Sequence, residues 1–476
     1  MKIRFRKTNI TGLLASAAIA VQLLLIVINS IELSERINHA MFFMNYVVGF
    51  LIIADLVFMG VYTNFLPISF FGCFMLFLMG QKPFKPEYNV FLTFTRVELD
   101  IAQYFVFSCI LFIGLAVTYS FYLFFSCNSK PQNKLYCGSE ETNNRALESL
   151  ITFMILFTFP CAVYMQGKIV LVRASMTYTS GYLVNVDVPA LVKVGYYIYS
   201  GVILLYLALK PSKRRLVFAL ATYLLVEGGF QLLQGRRALF ACSLLFIIWY
   251  LIKYQGIKTI SIKNLIRISV IIVLMVIAFY VVEQRRDSSS TRISMQFLKR
   301  FLVSTGGSDS VIANTVFRRD QFPESGLTYL FDPLINNPIG NLLLGKRSVP
   351  QGMDYLQMHH SFSHWLSYMT ESSLYLSGHG MGSCYLAEVF LAFGMIGVVL
   401  VSVFVGWFLN KLNRIEFNNS IFRTATVFFF VKRLFTLPRD GLFSWTGGFV
   451  YLLFVFLMLI PFYRFAQRTR KIILKD

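Results

Sequence analysis

Residues 384–408 read CYLAEVFLAFGMIGVVLVSVFVGWF, a run in which Glu388 is the single ionisable side chain. A helix rises 1.5 Å per residue, so about 17–25 apolar residues cross the ~30 Å hydrocarbon core of a bilayer. A run that is apolar all round has no face to offer water. Similar runs recur near 10–29, 41–62, 64–80, 101–125, 149–166, 193–209, 215–233, 238–254, 265–283, 421–437 and 441–463. The pattern predicts an all-α polytopic membrane protein of about twelve transmembrane helices. Residues 1–476 would form a single integral membrane domain.

Composition agrees. Of 476 residues, 56% are hydrophobic and 14% are charged, against about 25% charged in a soluble domain. The mean hydropathy is +0.63. This excludes a large soluble enzyme domain, and it excludes disorder, which needs low hydrophobicity. The first seven residues are basic and precede an apolar run, as in a signal peptide. That run continues to about Ile28, past the ~7–15 residues of a signal core, without a small-residue cleavage site. A retained helix is expected.

The net charge of +21 would suit nucleic acid in a soluble protein. Its distribution gives another meaning. An even number of spans puts both termini on one side. If that side is the cytoplasm, the segments there hold 23 of the 44 basic residues and five of the 23 acidic ones. Lys210-Pro211-Ser212-Lys213-Arg214-Arg215 is among them. This is the positive-inside bias, with anionic membrane lipid as the partner of the basic face and no nucleic acid. The expected topology is multi-pass, with cytoplasmic termini.

One connection is long. Residues 284–383 form a connection of about one hundred residues on the outer side in this topology, and loops of that length are usually functional. It is rich in Phe, Tyr and Leu. Ile293, Phe297, Phe301 and Leu302 recur at helical spacing beside Arg292, Lys299 and Arg300, as in an amphipathic interfacial helix. Prolines at 323, 333, 338 and 350 divide the loop into short pieces. Cys127 and Cys137 share a loop on the reducing side and are expected as free thiols.

Arginine in short outer loops runs against the charge rule, yet three such sites occur. They are Arg236-Arg237 after Gly235, Arg285-Arg286 after Glu283, and Arg439 in Leu437-Pro438-Arg439-Asp440-Gly441. A guanidinium donates a fork of two hydrogen bonds and stays charged, which suits a diphosphate. The competing reading is interfacial snorkelling, or pairing with Glu283, Asp287 or Asp440. Three sites at one depth favour the anion site.

Four of the five histidines (His359, His360, His364, His379) lie in the long loop. His360 and His364 are four apart, but no Glu lies between them, so the metalloprotease pattern fails. No metal ligand set and no cofactor are read from the sequence. His379 sits in Ser377-Gly378-His379-Gly380-Met381-Gly382-Ser383. There Gly378, Gly380 and Gly382 would let backbone N–H groups approach an anion while His379 acts as base. An ordinary tight turn is the plainer alternative. Intramembrane ionisable groups call for a role each. Glu227 would orient the arginines, Asp55 would pair with Lys432 and Arg433, and Glu388 would stand near His379.

Together these stretches resemble the Wzy-type O-antigen polymerases, with the enterobacterial common antigen polymerase as a relative. The resemblance covers roughly residues 150–465. It rests on Gly235-Arg236-Arg237, on Arg285-Arg286, on Gly378 to Ser383 running into Ala387-Glu388-Val389-Phe390, and on Arg439-Asp440-Gly441. It implies a lipid-dependent multispan glycosyltransferase of the bacterial inner membrane, with 284–383 as its large periplasmic loop. Such enzymes join oligosaccharide repeat units carried on undecaprenyl diphosphate at the periplasmic face and release undecaprenyl diphosphate. Donor and acceptor would both be lipid-linked, with a polysaccharide chain-length regulator as a further partner. His379 and Glu388 are the candidate catalytic residues, His379 first. Arg237, Arg286 and Arg439, with Arg236 and Arg285, would bind the diphosphate. Glu227, Asp440 and the loop glycines would support them. An O-antigen ligase of the same class and a lipid-linked oligosaccharide flippase are the alternatives. The absence of internal repeats counts against the transporter.

Overall fold

The computed structural model describes residues 10–80, 89–91, 96–127, 145–174, 183–184, 186–254, 307–337, 349–415 and 420–473. The expected span at 265–283, Arg285, Arg286, Cys137 and the expected amphipathic helix near 293–302 lie outside these residues.

Helices dominate. In chain order they are α1 (Ile10–Ile31), α2 (Glu35–Phe58), α3 (Phe65–Met79), α4 (Ile101–Cys127), α5 (Arg145–Ala174) and α6 (Ala190–Ala208). Next, α7 (Lys213–Leu224) runs through a π-helical turn, Leu225–Gly229, into α8 (Phe230–Leu233). The helix α9 (Arg237–Trp249) ends in a second π turn, Tyr250–Tyr254. The long connection contains α10 (Asp309–Phe317), α11 (Gly326–Ile335), α12 (Met353–Met358), α13 (Phe362–Thr370) and α14 (Ser372–Leu376). The chain closes with α15 (Tyr385–Asn413), α16 (Ile421–Thr436) and α17 (Thr446–Ile473). A short antiparallel ladder, Asn89–Phe91 with Arg96–Glu98, is the exception among the described residues.

Eight helical stretches are long and apolar enough to cross a membrane: α1, α2, α4, α5, α6, the α7–α8 rod, α9 with its π turn, and α15. The count that length and apolarity support among the described residues is therefore eight, against the twelve expected. One expected span, 265–283, lies outside the described residues, and two others have local features that keep them out of the count. The helix α3 has only 15 residues. The 16 residues of α16 include Arg423, Lys432 and Arg433.

The helix α15 packs along α4, α5 along α6, and α1 along α2. Small residues allow close approach where dispersion and packing hold membrane helices together. A Cβ on Gly406 of α15 would fall 2.5 Å from the Thr118 carbonyl of α4. Polar side chains join the first helices. Gln22 donates to the Met41 carbonyl at 2.8 Å, and Asn45 donates to the Ser108 carbonyl at 3.1 Å. Asp55, expected to pair with Lys432 and Arg433, instead accepts from Tyr119 Oη at 2.6 Å and Thr11 Oγ1 at 3.2 Å. The two cations lie on α16, which packs on α6 and α9.

Contacts between helix ends fall on two faces. On one, Lys253 Nζ donates to the carbonyls of Thr63 (2.9 Å) and Asn413 (3.3 Å), and Arg414 reaches Ser126. On the other, the Ser308 N–H donates to the Phe77 carbonyl at 3.2 Å, seating α10 on the end of α3. The candidate site lies on this second face.

Candidate active site

Its centre is the start of α15. Gly394 adopts φ +63°, ψ −152°, which breaks α15 after two turns. This is backbone that only glycine takes at ease. The short piece before the break is almost wholly enclosed, with Tyr385 to Leu391 all buried. From above, Gly326 of α11 presses on the Leu391–Ala392 backbone. Glu388 lies in this piece and is 4% exposed. Its carboxylate accepts from Ser383 Oγ at 2.6 Å and from the Leu442 N–H at 2.8 Å. Burying a carboxylate costs less when donors face it.

The Leu442 bond pins the Arg439-Asp440-Gly441 turn onto α15. A Cβ on Gly441 would overlap the Glu388 carboxylate, so only glycine lets the turn come this close. The turn follows a 3-10 step at Leu437–Arg439. Asp440 Oδ1 accepts from the Gly441 N–H at 3.0 Å. Burial raises the Asp440 carboxyl above its ordinary range, while Arg433 and the Ser444 hydroxyl pull it back. From α11, Phe331 stacks on Phe443 at 5.7 Å, and the Pro333 carbonyl accepts from Thr446 Oγ1 at 2.7 Å. The long connection thus roofs the turn.

Two cations on α16, Lys432 and Arg433, lie close to this turn. Lys432 Nζ pairs with Glu227 Oε2 at 2.5 Å, with the two side chains 21% and 12% exposed. Ser200 Oγ donates to the other Glu227 oxygen at 2.5 Å. Glu227 therefore holds Lys432 in place. It does so from the π turn, a distortion frequent at functional sites. Arg433 lies against Phe429 at 5.6 Å and interacts electrostatically with both Glu227 and Asp440. Its Nη2 occupies the space where a Cβ of Gly448 would sit, 2.9 Å away. It makes no ion pair within 4.0 Å among the described residues.

The first arginine pair lies at the same depth. Gly235 (φ +83°) turns the chain between α8 and α9. Arg236 is exposed, and Arg237, the first residue of α9, is 6% exposed. The thiol of Cys242 donates to the Phe435 carbonyl at 3.6 Å, which levels α9 with α16. Five residues of helix, about 7.5 Å, then raise Arg237 from Cys242 to the level of the 437–441 turn. Beside the Gly235 turn, Arg173 Nη1 donates to Gln234 Oε1 at 2.9 Å, and Gln234 Nε2 donates to Gln166 Oε1 at 2.6 Å. Arg173, Lys432 and Arg433 join the candidate residues at this end, each within the last two turns of its helix.

The His379 loop turns on two glycines. Gly378 and Gly382 have φ of +95° and +82°. Its N–H groups are partly engaged: that of Met381 donates to Ser367 Oγ at 2.9 Å, and that of His379 to the Leu374 carbonyl at 3.1 Å. Gln351 Nε2 clamps the Tyr375 and His379 carbonyls at 2.7 and 2.6 Å. The His379 ring meets Ser377 Oγ at 2.9 Å. The loop reaches Glu388 through Ser383. Among the other histidines, His359 packs on Tyr355 at 4.6 Å. His360 Nδ1 lies 2.7 Å from Glu324, and His364 Nδ1 lies 3.0 Å from Tyr375 Oη. His360 and His364 thus point to different partners.

The fold and this belt define a class: a multispan α-helical membrane protein with charged residues from the 225–229 π turn, α9, α15, α16 and the 437–441 turn gathered at one end under a helical cover. The chain belongs to the family of the O-antigen polysaccharide polymerase Wzy, whose match spans residues 16–467. It is accordingly an O-antigen polymerase of the integral membrane, acting on lipid-linked oligosaccharide repeat units. Comparison with curated proteins and with solved structures gives no match.

Proposed function

We propose that the chain polymerises repeat units carried on undecaprenyl diphosphate at the periplasmic face of the inner membrane. Both termini are then cytoplasmic, and α10–α14 belong to the periplasmic loop. What carries the reading is the convergence at one depth of Arg237, Arg433, Arg439 and the Glu388 carboxylate. A sugar hydroxyl of the acceptor unit attacks the anomeric carbon of the donor chain. The bond from that carbon to the diphosphate oxygen breaks, and undecaprenyl diphosphate leaves. The arginines, with Arg236, Arg285 and Arg286, hold the diphosphate and offset its growing charge. The proton of the attacking hydroxyl passes to His379 or Glu388. Glu227 and Asp440 support the cations, and the glycine turn at 378–382 holds His379. Arginines take the place of a metal ion in this scheme, so activity should resist chelators. A chain-length regulator would bind the same enzyme.

The test is reconstitution of the purified protein with a defined undecaprenyl-diphosphate-linked repeat unit. A polymer ladder is expected. A single transfer to a lipid A core acceptor, or transbilayer movement without bond formation, would replace the reading with a ligase or a flippase.

A further inference from the structure

The face opposite the site carries a second binding feature. There α5, α6 and α7 enclose a groove of about 500 Å³, lined by Thr152, Phe153 and Leu156 of α5, Tyr206 of α6 and Phe218 of α7. Its walls open sideways toward hydrocarbon, with Phe153, Leu156 and Phe218 exposed by 61%, 61% and 52%. Arg214 and Arg215 stand at one end. That end is the basic one: nearby, Lys210 lies over the Tyr254 ring at 4.5 Å, and Tyr254 Oη donates to the Ala208 carbonyl at 2.5 Å.

The two arginines differ. Arg215 pairs with Glu148 of α5, which ties α5 to α7 across the groove mouth. Arg214 is exposed and has no hydrogen bond or ion pair to any described residue. Residues four apart share a helix face, so Arg214 and Phe218 line one side of the groove. On α5, Ser149 and Thr152 lie nearer the mouth and Leu156 one turn farther in. Each wall is therefore polar at the basic end and apolar toward the membrane middle, the profile of a single amphiphile. Two guanidinium groups against one carboxylate leave the mouth positive. A soluble anion would use only the mouth and leave the apolar wall unexplained.

We propose that this groove binds an anionic phospholipid of the leaflet at the basic end. Its phosphate lies between Arg214 and Arg215, and an acyl chain lies along Phe153, Leu156 and Phe218. The site is separate from the diphosphate site and does not depend on it.

Native mass spectrometry of the full chain in detergent tests this, with phosphatidylglycerol and phosphatidylcholine of identical acyl chains. Tighter binding of phosphatidylglycerol is expected. Arg214→Gln should weaken it by about fivefold, the worth of one basic residue facing an anionic headgroup. Phosphatidylcholine binding should be unchanged. Leu156→Trp, which fills the groove without touching charge, should also weaken phosphatidylglycerol. Lys411→Gln, an exposed charge at the same end but outside the groove, should not. Equal affinity for the two lipids in the unaltered protein would overturn the proposal. So would equal losses from Arg214→Gln and Lys411→Gln, which would mean diffuse surface charge. Displacement of phosphatidylglycerol by inorganic phosphate alone would assign the mouth to a soluble anion and overturn it as well.

Discussion

Glu388 Oε2 accepts the backbone N–H of Leu442 at 2.8 Å, a contact between residues 54 apart in the chain. It joins the start of α15 to the Arg439-Asp440-Gly441 turn, and no side chain fits between them at Gly441. Gly441→Ala is therefore expected to lift the turn from Glu388 and abolish polymer while the protein still accumulates in the membrane. Glu388→Gln keeps an acceptor for Leu442 but removes the charge. If Glu388 moves the proton, this variant should accumulate normally and lose polymer, as read on lipopolysaccharide gels. A normal ladder from Glu388→Gln would leave Glu388 as a brace.

Arg237→Ala, Arg286→Ala, Arg433→Ala and Arg439→Ala should each abolish the polymer ladder and leave single-repeat caps. One charge-assisted bond to a phosphate contributes roughly 1.5–3 kcal/mol, enough to reduce turnover by about tenfold or more per residue. Normal ladders from all four single variants would sink the diphosphate site. Lysine at 433 would retain charge without the fork, so Arg433→Lys should recover only part of the activity.

His379→Ala should lose turnover while lipid-linked donor still binds. The measurement is donor retention on the purified protein beside a polymerisation assay. Persisting activity would transfer the base to Glu388.

The Lys432–Glu227 pair makes a different prediction. Removing one partner of a buried pair leaves an uncompensated charge and costs about 3–5 kcal/mol. Lys432→Met or Glu227→Leu alone should lower the melting temperature in detergent, and the double variant should recover most of it. If the double variant is stable but makes no polymer, the pair also serves the reaction.

His364 gives a pH dependence. Its ring packs at a tilt on Tyr355 at 4.1 Å, and burial, followed by His359, lowers its pKa from 6.5 to about 4. Between those values the unfolded chain holds a proton that the folded one does not, so stability rises with pH. The contribution is complete above about pH 6.5 and lost on acidification to about 4. It is at most about 3 kcal/mol, and less to the extent that water reaches the half-buried ring. Proteolytic protection of the 349–383 region should fall across this window, and His364→Gln should flatten the fall.

Much of this was readable in the chain. The 384–408 run identified a span because twenty-five residues with one charge cannot be solvated along their length. Gly235-Arg236-Arg237, Arg439-Asp440-Gly441 and Glu388 were legible because each is a costly residue type for its position. The span count was less so. Apolar runs such as 64–80 and 421–437 mark burial in hydrocarbon or in protein alike, and α3 and α16 stop short of a full crossing. The partners of charged residues were not legible either. Asp55 was matched to Lys432 by sign alone, yet it lies with Tyr119 and Thr11.

By itself the sequence determined what each segment must be surrounded by: lipid for the apolar runs, and the basic side for clustered lysine and arginine. Transfer free energy is a property of the local composition, so it can be read residue by residue. Only the tertiary structure decided which groups meet. Glu388 touches Leu442, and Glu227 chooses Lys432, because the Gly394 break, the π turn and the level packing of α9 on α16 set their heights. Those heights depend on contacts between segments far apart in the chain. No window of sequence contains them.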